Sequence, residues 1–337
     1  MTRSLTSYLA LGLLVMIAGC GQQTSEDPAE TAYRAFRTGY IDADSRAEQV
    51  ALVESFVAEH AGHRAAAYYA VDLVSYYGHD LGQPARACEI VEPLLSRIPD
   101  PEARLYLASE LAPVAADAGR PLDLAPYIAA LEAQGPLSFD SLDMIMAAAC
   151  KVGDWPLAAK HAEAAEVRST PEAWRADNPD RELSEEEVAT RVQRRRVAAL
   201  TYRAWALYNQ GQTAEALALF EQAERNRVND YLGLSNAPLD RFWASALLKE
   251  GNPAAALERV SREAVFGDRK QATPVFRQAW AAVNGSEDGL DEQLWQARQR
   301  LARTIDDFTL SNYDGQQHSL ADLRRGKVLM LAFWFPT

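Results

Sequence analysis

The chain has 337 residues, 48% hydrophobic and 24% charged, a balance that excludes a disordered or fibrous polypeptide and supplies apolar material for a sizeable core. With 34 Lys and Arg against 47 Asp and Glu, its net charge of −13 argues against nucleic acid or an anionic lipid surface as the main partner, because both need a clustered basic face. Three cysteines in a chain of this length exclude a disulfide framework.

Arg3 gives a short positive start, residues 9–18 are almost wholly apolar, and the small pair Ala18-Gly19 precedes Cys20, the layout of a secretory signal. The apolar run is shorter than the ~20 residues a spanning helix needs, and polar residues follow it. Ile17-Ala18-Gly19-Cys20 resembles the lipobox of bacterial lipoproteins. That resemblance implies cleavage of residues 1–19 and a lipid-modified Cys20 as the new N-terminus; the polar stretch over residues 20–29 reads as a flexible tether. Several acyl chains on one residue anchor stably where a single chain is marginal. Gly21 stands where an inner-membrane retention signal has Asp, so the expected location is a lipid-anchored, periplasm-facing protein of the cell envelope, the outer membrane favoured. The alternative is a plain secretory signal with an incidental cysteine.

From residue 30 to residue 303 the pattern is helical, rich in Ala, Leu, Glu and Arg with apolar residues three and four apart. Gly82, Gly119, Gly153, Gly211, Gly251 and Gly285 each sit between two helical stretches and are 37, 34, 58, 40 and 34 residues apart. That spacing predicts a repeat with one insertion. The clearest unit runs over residues 199–226: Ala204 and Leu207 share a helix, Gly211 ends it, and Ala216, Phe220 and Ala223 line the next. Small residues allow close helix approach, Phe220 fills the groove between, and Gly211 supplies a left-handed turn. Weaker units pair Gly153 with Ala158, Ala162 and Ala165, Gly251 with Ala256 and Val260, and Gly82 with Ala87, Val91 and Leu94. These units resemble tetratricopeptide repeats, which implies an α-solenoid whose stacked hairpins bind a protein or peptide partner. Departures at the aromatic and proline positions of that motif leave the repeat boundaries open.

The insertion, at about residues 168–183, carries Pro171, Pro179, Asp177, Asn178 and Asp180 and is predicted to be a loop. Ser184 with Glu187 then forms a capping box opening a long helix that ends near Gln210. Arg194, Arg195 and Arg196 lie mid-helix, either as an anionic docking patch or as a solvated face paired with carboxylates.

The array itself offers little chemistry. Of His60, His63, His79, His161 and His318, only His60 and His63 lie a helical turn apart, and they lack a third ligand, so they are expected to be surface histidines and no metal is expected. No phosphate loop or nucleophile elbow is present, and no cofactor is expected. Cys88 and Cys150 fall inside helical units, where a free thiol acts as a small hydrophobe, and lie too far apart in the array to bridge directly.

At Thr304 the character changes. A short strand, an Asp314-Gly315 turn and a second polar segment lead to eight apolar residues over 328–335, the pattern of a parallel strand covered on both faces. The order Asp307-Phe308-Thr309-Leu310, Asp314-Gly315, Ser319-Leu320, Asp322-Leu323, Gly326-Lys327 and Phe333-Trp334 resembles the opening of the redoxin group of thioredoxin-like proteins. That resemblance covers about a tenth of the chain. It implies that residues 304–337 begin an α/β thioredoxin-like domain, incomplete here. It also implies a catalytic cysteine at a helix N-terminus shortly after Phe333-Trp334, where the dipole favours the thiolate. No catalytic residue lies within the chain; the nucleophile is expected just after Thr337. The sequence is therefore expected to be truncated, either as a fragment or by a UGA codon that encodes selenocysteine.

The sequence thus predicts a mainly α protein: a tetratricopeptide-like solenoid followed by the start of a thioredoxin-like domain. The function implied is a lipid-anchored thiol–disulfide oxidoreductase acting on a disulfide-containing protein recruited by the repeats. The rivals are a non-enzymatic binding scaffold and a peroxiredoxin-type peroxidase.

Overall fold

A computed structural model of the protein describes residues 28–230, 233–235, 237–302, 307–312 and 314–325. The signal segment, Cys20 and the apolar run 328–335 lie outside the described residues. Among the described residues the protein is mainly α-helical with one two-stranded sheet. It divides into two compact units, one ending at Arg181 and the other beginning at Glu182.

The first unit contains α1 (Pro28–Asp42), α2 (Arg46–His60), α3 (Ala66–Leu73), α4 (Pro84–Leu95), α5 (Pro101–Asp117), α6 (Ala125–Glu132), α7 (Phe139–Val152), α8 (Trp155–Val167) and α9 (Pro171–Asp177). The second contains α10 (Glu185–Asn209), α11 (Thr213–Arg225), α12 (Leu239–Lys249), α13 (Pro253–Phe266), α14 (Arg269–Asn284), α15 (Leu290–Leu301), β1 (Thr309–Ser311), β2 (Gln317–Ser319) and α16 (Leu320–Arg324).

Local signals start and stop these helices. Ser45, Asp100, Ser138, Asp154, Asn252 and Asp268 accept hydrogen bonds from first-turn amides, satisfying donors that no helical carbonyl can reach. Pro84, Pro101 and Pro253 open their helices, where a missing N–H costs nothing. The six glycines that mark the sequence period all have positive φ, between +61° and +83°. Gly153 and Gly285 are left-handed helix ends whose amides return to Ala149 and Ala281.

Packing follows the chain. Helices meet their sequence neighbours, as α7 does α8 and α10 does α11, and also the next but one, as α5 does α7 and α10 does α12. Alanines are prominent among the buried residues: Ala204, Ala216 and Ala223, like Phe220, are fully buried in the α10–α11 pair, and Ala244, Ala256, Ala272 and Ala279 form one buried cluster with Val260 and Phe276. In the first unit Leu105, Leu107 and Leu111 of α5 are buried together with Val53, Leu73 and Val91.

Two expectations need correction. The predicted loop over 168–183 contains α9, because Pro171 is a helix opener rather than a breaker: Thr170 caps the turn and Trp174 is buried, only 4% exposed. Asp177 fixes this turn by pairing with Arg168 and accepting the Phe139 amide at 3.2 Å. The three arginines of α10 form neither one solvated face nor one patch. Successive helical residues are ~100° apart, so Arg195 is buried while Arg196 is exposed. The first unit also has a feature on which the sequence pattern is silent: α3 runs on into a π-helical segment, Val74–Asp80. Gly78 there lies so close to α5 that a Cβ would stand 2.8 Å from Val114, which explains a glycine inside a helical stretch.

Glu263 of α13 faces Arg241 at 3.3 Å with only 12% of its side chain exposed. Burial pushes its carboxyl from about 4.5 up to about 7, outweighing the attraction of Arg241, while Asp240 adds repulsion. The folded state then holds its proton over a window where the unfolded state has lost it, so this contribution to stability falls as pH rises from about 4.5 to about 7. Wild type should lose on the order of 2–3 kcal/mol relative to Glu263→Gln across that window. Urea denaturation of both proteins at about pH 5 and about pH 8 checks this; a constant difference between them would contradict it.

Candidate functional site

The residues singled out for chemistry divide into thiols, histidines, a cleft in the first unit and the terminal hairpin. Cys88 is fully buried, and Cys150 is half-buried; both are free. Burial raises both thiols, with Glu92 adding to the effect at Cys88, and pushes Cys150 up to about 12. Thiolate is the reactive form, so neither suits nucleophilic work. With Cys20 replaced by Ser, native protein should react with a thiol reagent at neutral pH at less than about a tenth of the rate seen in denaturant. Rapid stoichiometric labelling of the native form would show that one of these sites opens.

His63 is not the surface residue expected. Its side chain is 8% exposed and stacks on Tyr33 at 4.7 Å; Nε2 lies 3.4 Å from Glu30, and Nδ1 accepts the Ala65 amide at 3.2 Å. Aromatic packing and a helix-entry hydrogen bond therefore account for this ring. Among the described residues no group of three or more His, Cys, Asp and Glu could hold a metal ion.

His161 is the histidine with unmet bonding capacity. On α8 it occupies the buried stripe with Ala158, Ala162 and Ala165, a period that the sequence displays and that places a polar ring where alanines otherwise pack. Its side chain is 3% exposed, and Nε2, although 3.7 Å from Glu132, has no hydrogen-bond partner. Burial, then Lys160, lowers its pKa, and Glu132 opposes them, so the ring is neutral at neutral pH. His161 lines an open cleft of about 480 Å³ between the end of α6, the connection to α7, and α8. Its apolar lining includes Leu137, Leu142, Ala164 and Val167.

The terminal segment is a β-hairpin. Strands β1 and β2 are antiparallel, with Thr309 opposite Ser319, Leu310 opposite His318 and Ser311 opposite Gln317. Asn312 Oδ1 accepts the amides of Asp314 and Gln316 at 3.0 and 2.8 Å, and Gly315 has φ +76°, a backbone region that glycine enters without strain. Ser319 then caps α16 by accepting the Asp322 amide at 3.0 Å, Asp307 Oδ1 accepts the Ala321 amide at 2.8 Å, and Leu320 is buried. The residues that carried the sequence resemblance here, Asp307, Gly315, Ser319, Leu320 and Asp322, each have a defined structural task. None is a nucleophile. No protein-family model matches the chain, and no curated protein matches it.

Proposed function

We propose that this chain forms the partner-recruiting array and the opening segment of a lipid-anchored thiol–disulfide oxidoreductase of the cell envelope. The observation that carries this reading is the terminal hairpin: two strands joined through Gly315 and a Ser319-capped helix, with Asp307 accepting the Ala321 amide, hold the residues whose order in the sequence resembles the redoxin opening. The hairpins built on Ala204, Gly211, Ala216 and Phe220 support a tetratricopeptide-like solenoid, whose exposed faces suit a peptide or protein partner. Among the described residues no helix is long and apolar enough to cross a membrane; in this reading the anchor is the acylated Cys20.

The attacking thiolate or selenolate belongs to residues after the Phe333-Trp334 pair. It attacks one sulfur of a substrate disulfide, forming a mixed disulfide and expelling the other sulfur as thiolate. A second thiol of the enzyme attacks that mixed disulfide, releasing the reduced substrate while the enzyme takes up the disulfide.

The test is to read the gene past codon 337 and assay the extended protein for reduction of insulin disulfides with dithiothreitol as electron source. Insulin reduction should depend on a cysteine or selenocysteine within a few codons of that point. A lone such residue with peroxide reduction would indicate a peroxidase, and an ordinary stop would leave a binding scaffold; either result overturns the reductase reading. The anchoring part is tested separately: Cys20→Ser should move the protein from the membrane to the soluble fraction, and persistent membrane association would refute acylation at Cys20.

A further inference from the structure

We propose that the cleft along α8 binds the free carboxyl terminus of a peptide whose last residues are apolar. This deepens the partner-recruiting half of the reading above and is independent of its redox half.

The cleft opens where α6 ends, after eight residues, at Glu132. The connection to α7 therefore faces α8 where another helical turn would have stood. Its apolar side includes Leu137, Leu142 and Val167, and Val167 is 77% exposed. An aliphatic side chain left in water beside a buried leucine gives an apolar ligand area to cover.

The polar end is built around one carboxylate position. Glu132 Oε1 lies 3.7 Å from both Lys160 Nζ and His161 Nε2, beyond hydrogen-bond distance for either nitrogen. Glu132 closes α6, where the carbonyl end of the helix dipole disfavours a carboxylate, and its side chain is 42% exposed. It is thus a loosely held anion between two nitrogen groups, one of them buried and unsatisfied. A ligand carboxylate that enters from the cleft can displace it and take a hydrogen bond from the Nε2–H tautomer of His161, with Lys160 supplying the charge.

Further along α8, Arg168 lines the same cleft. Its Nη2 is held by Asp177, which fixes the guanidinium, while its buried Nε has no hydrogen-bond partner. Residues 160 and 168 are about 12 Å apart along the helix, the length of about four extended peptide residues. A peptide carboxylate at Lys160 and His161 therefore brings an upstream carbonyl to the region of Arg168. The openness of the cleft favours a peptide over a fatty acid. A hydrocarbon chain in an open groove leaves much of its length in water, whereas a peptide turns alternate side chains to the apolar wall and its amides to solvent.

The test measures fluorescence anisotropy of a labelled Gly-Ser-Gly-Ala-Leu-Val hexapeptide with the full chain carrying Cys20→Ser. The free acid should bind at least about tenfold more tightly than its C-terminal amide, since the amide removes the charge that Lys160 and His161 receive. Val167→Asp should weaken binding about tenfold, and Glu132→Gln, which removes the competing anion, should strengthen it several-fold. Both positions are well exposed, and circular dichroism checks that each variant is folded. Equal binding of acid and amide, indifference to Val167→Asp, or no binding at about 1 mM would overturn the proposal. So would displacement of the peptide by decanoate at much lower concentration than by unlabelled peptide, which would indicate a lipid site. Insulin reduction by the extended protein is a separate readout, so failure of the cleft and failure of the redox reading are distinguishable.

Discussion

Replacing Asp240 with Ala should destabilise the second unit by about 3–5 kcal/mol, because it would strip the shared carboxylate from a largely buried charge cluster. Asp240, with 7% of its side chain exposed, sits in the first turn of α12, where the helix dipole favours a carboxylate. It accepts hydrogen bonds from Arg227 Nη1 and Nη2 at 2.8 and 2.5 Å and from Arg259 Nη1 at 3.3 Å. Glu224 takes bonds from the same two arginines at 3.1 and 2.9 Å, but it is more exposed and cannot replace two short bonds. The hydrogen bonds that Arg227 donates to Asp240 lead the effects that raise its pKa; with the carboxylate gone that support is lost, yet a guanidinium stays charged at neutral pH by its ordinary basicity. Most of the expected cost is that stranded guanidinium. Asp240→Asn, which keeps one acceptor without the charge, should fall between wild type and Asp240→Ala. A urea midpoint that moves by less than the equivalent of about 1 kcal/mol would show that Glu224 and water absorb the loss.

Phe220→Ala should cost about 3–5 kcal/mol through a cavity that rigid neighbours cannot close. Phe220 is fully buried, as are Ala204, Ala216 and Ala223 of the same packed helix pair, and alanines have no side chain long enough to move into a vacated space. Its ring also stacks at 5.8 Å on Trp243, and Trp243 carries the Arg259 guanidinium 3.6 Å from its ring centre. This couples the apolar groove to the Asp240 cluster. The double variant with Asp240→Ala should therefore depart from additivity by at least about 0.5 kcal/mol, as expected for sites that share partners. A double-mutant cycle in urea measures the coupling, and strict additivity would mean that Trp243 does not transmit it.

These effects sit in a framework that was largely legible in the residues. Capping side chains act within three residues, and a glycine that ends a helix acts on its own backbone, so Ser184, Gly153, Gly211 and Gly285 announce helix limits without reference to the rest of the chain. The alanine and phenylalanine positions around Gly211 were readable for the same reason, since the helical period puts them on one stripe. The capping signal at Thr170 and Pro171 is equally local, but the prolines of this segment also fit a loop, and the burial of Trp174 that holds α9 is a tertiary fact.

By itself, then, the sequence determined the mainly helical class, the helix ends marked by Ser184, Gly153, Gly211 and Gly285, the burial of the repeat positions around Gly211, and the first strand and Gly315 turn of the terminal segment, all products of interactions spanning a few residues. Only the tertiary structure decided which arginine of α10 is buried, that His63 packs on Tyr33, that Arg227, Glu224, Asp240 and Arg259 share one charge cluster, and that Glu132 stands between Lys160 and His161. Apart from the local Arg227–Glu224 pair, those groups meet across 13 to 35 residues of chain in the cluster and across two helices at the cleft. A helical period states which face a residue occupies but not what the neighbouring helix sets against it.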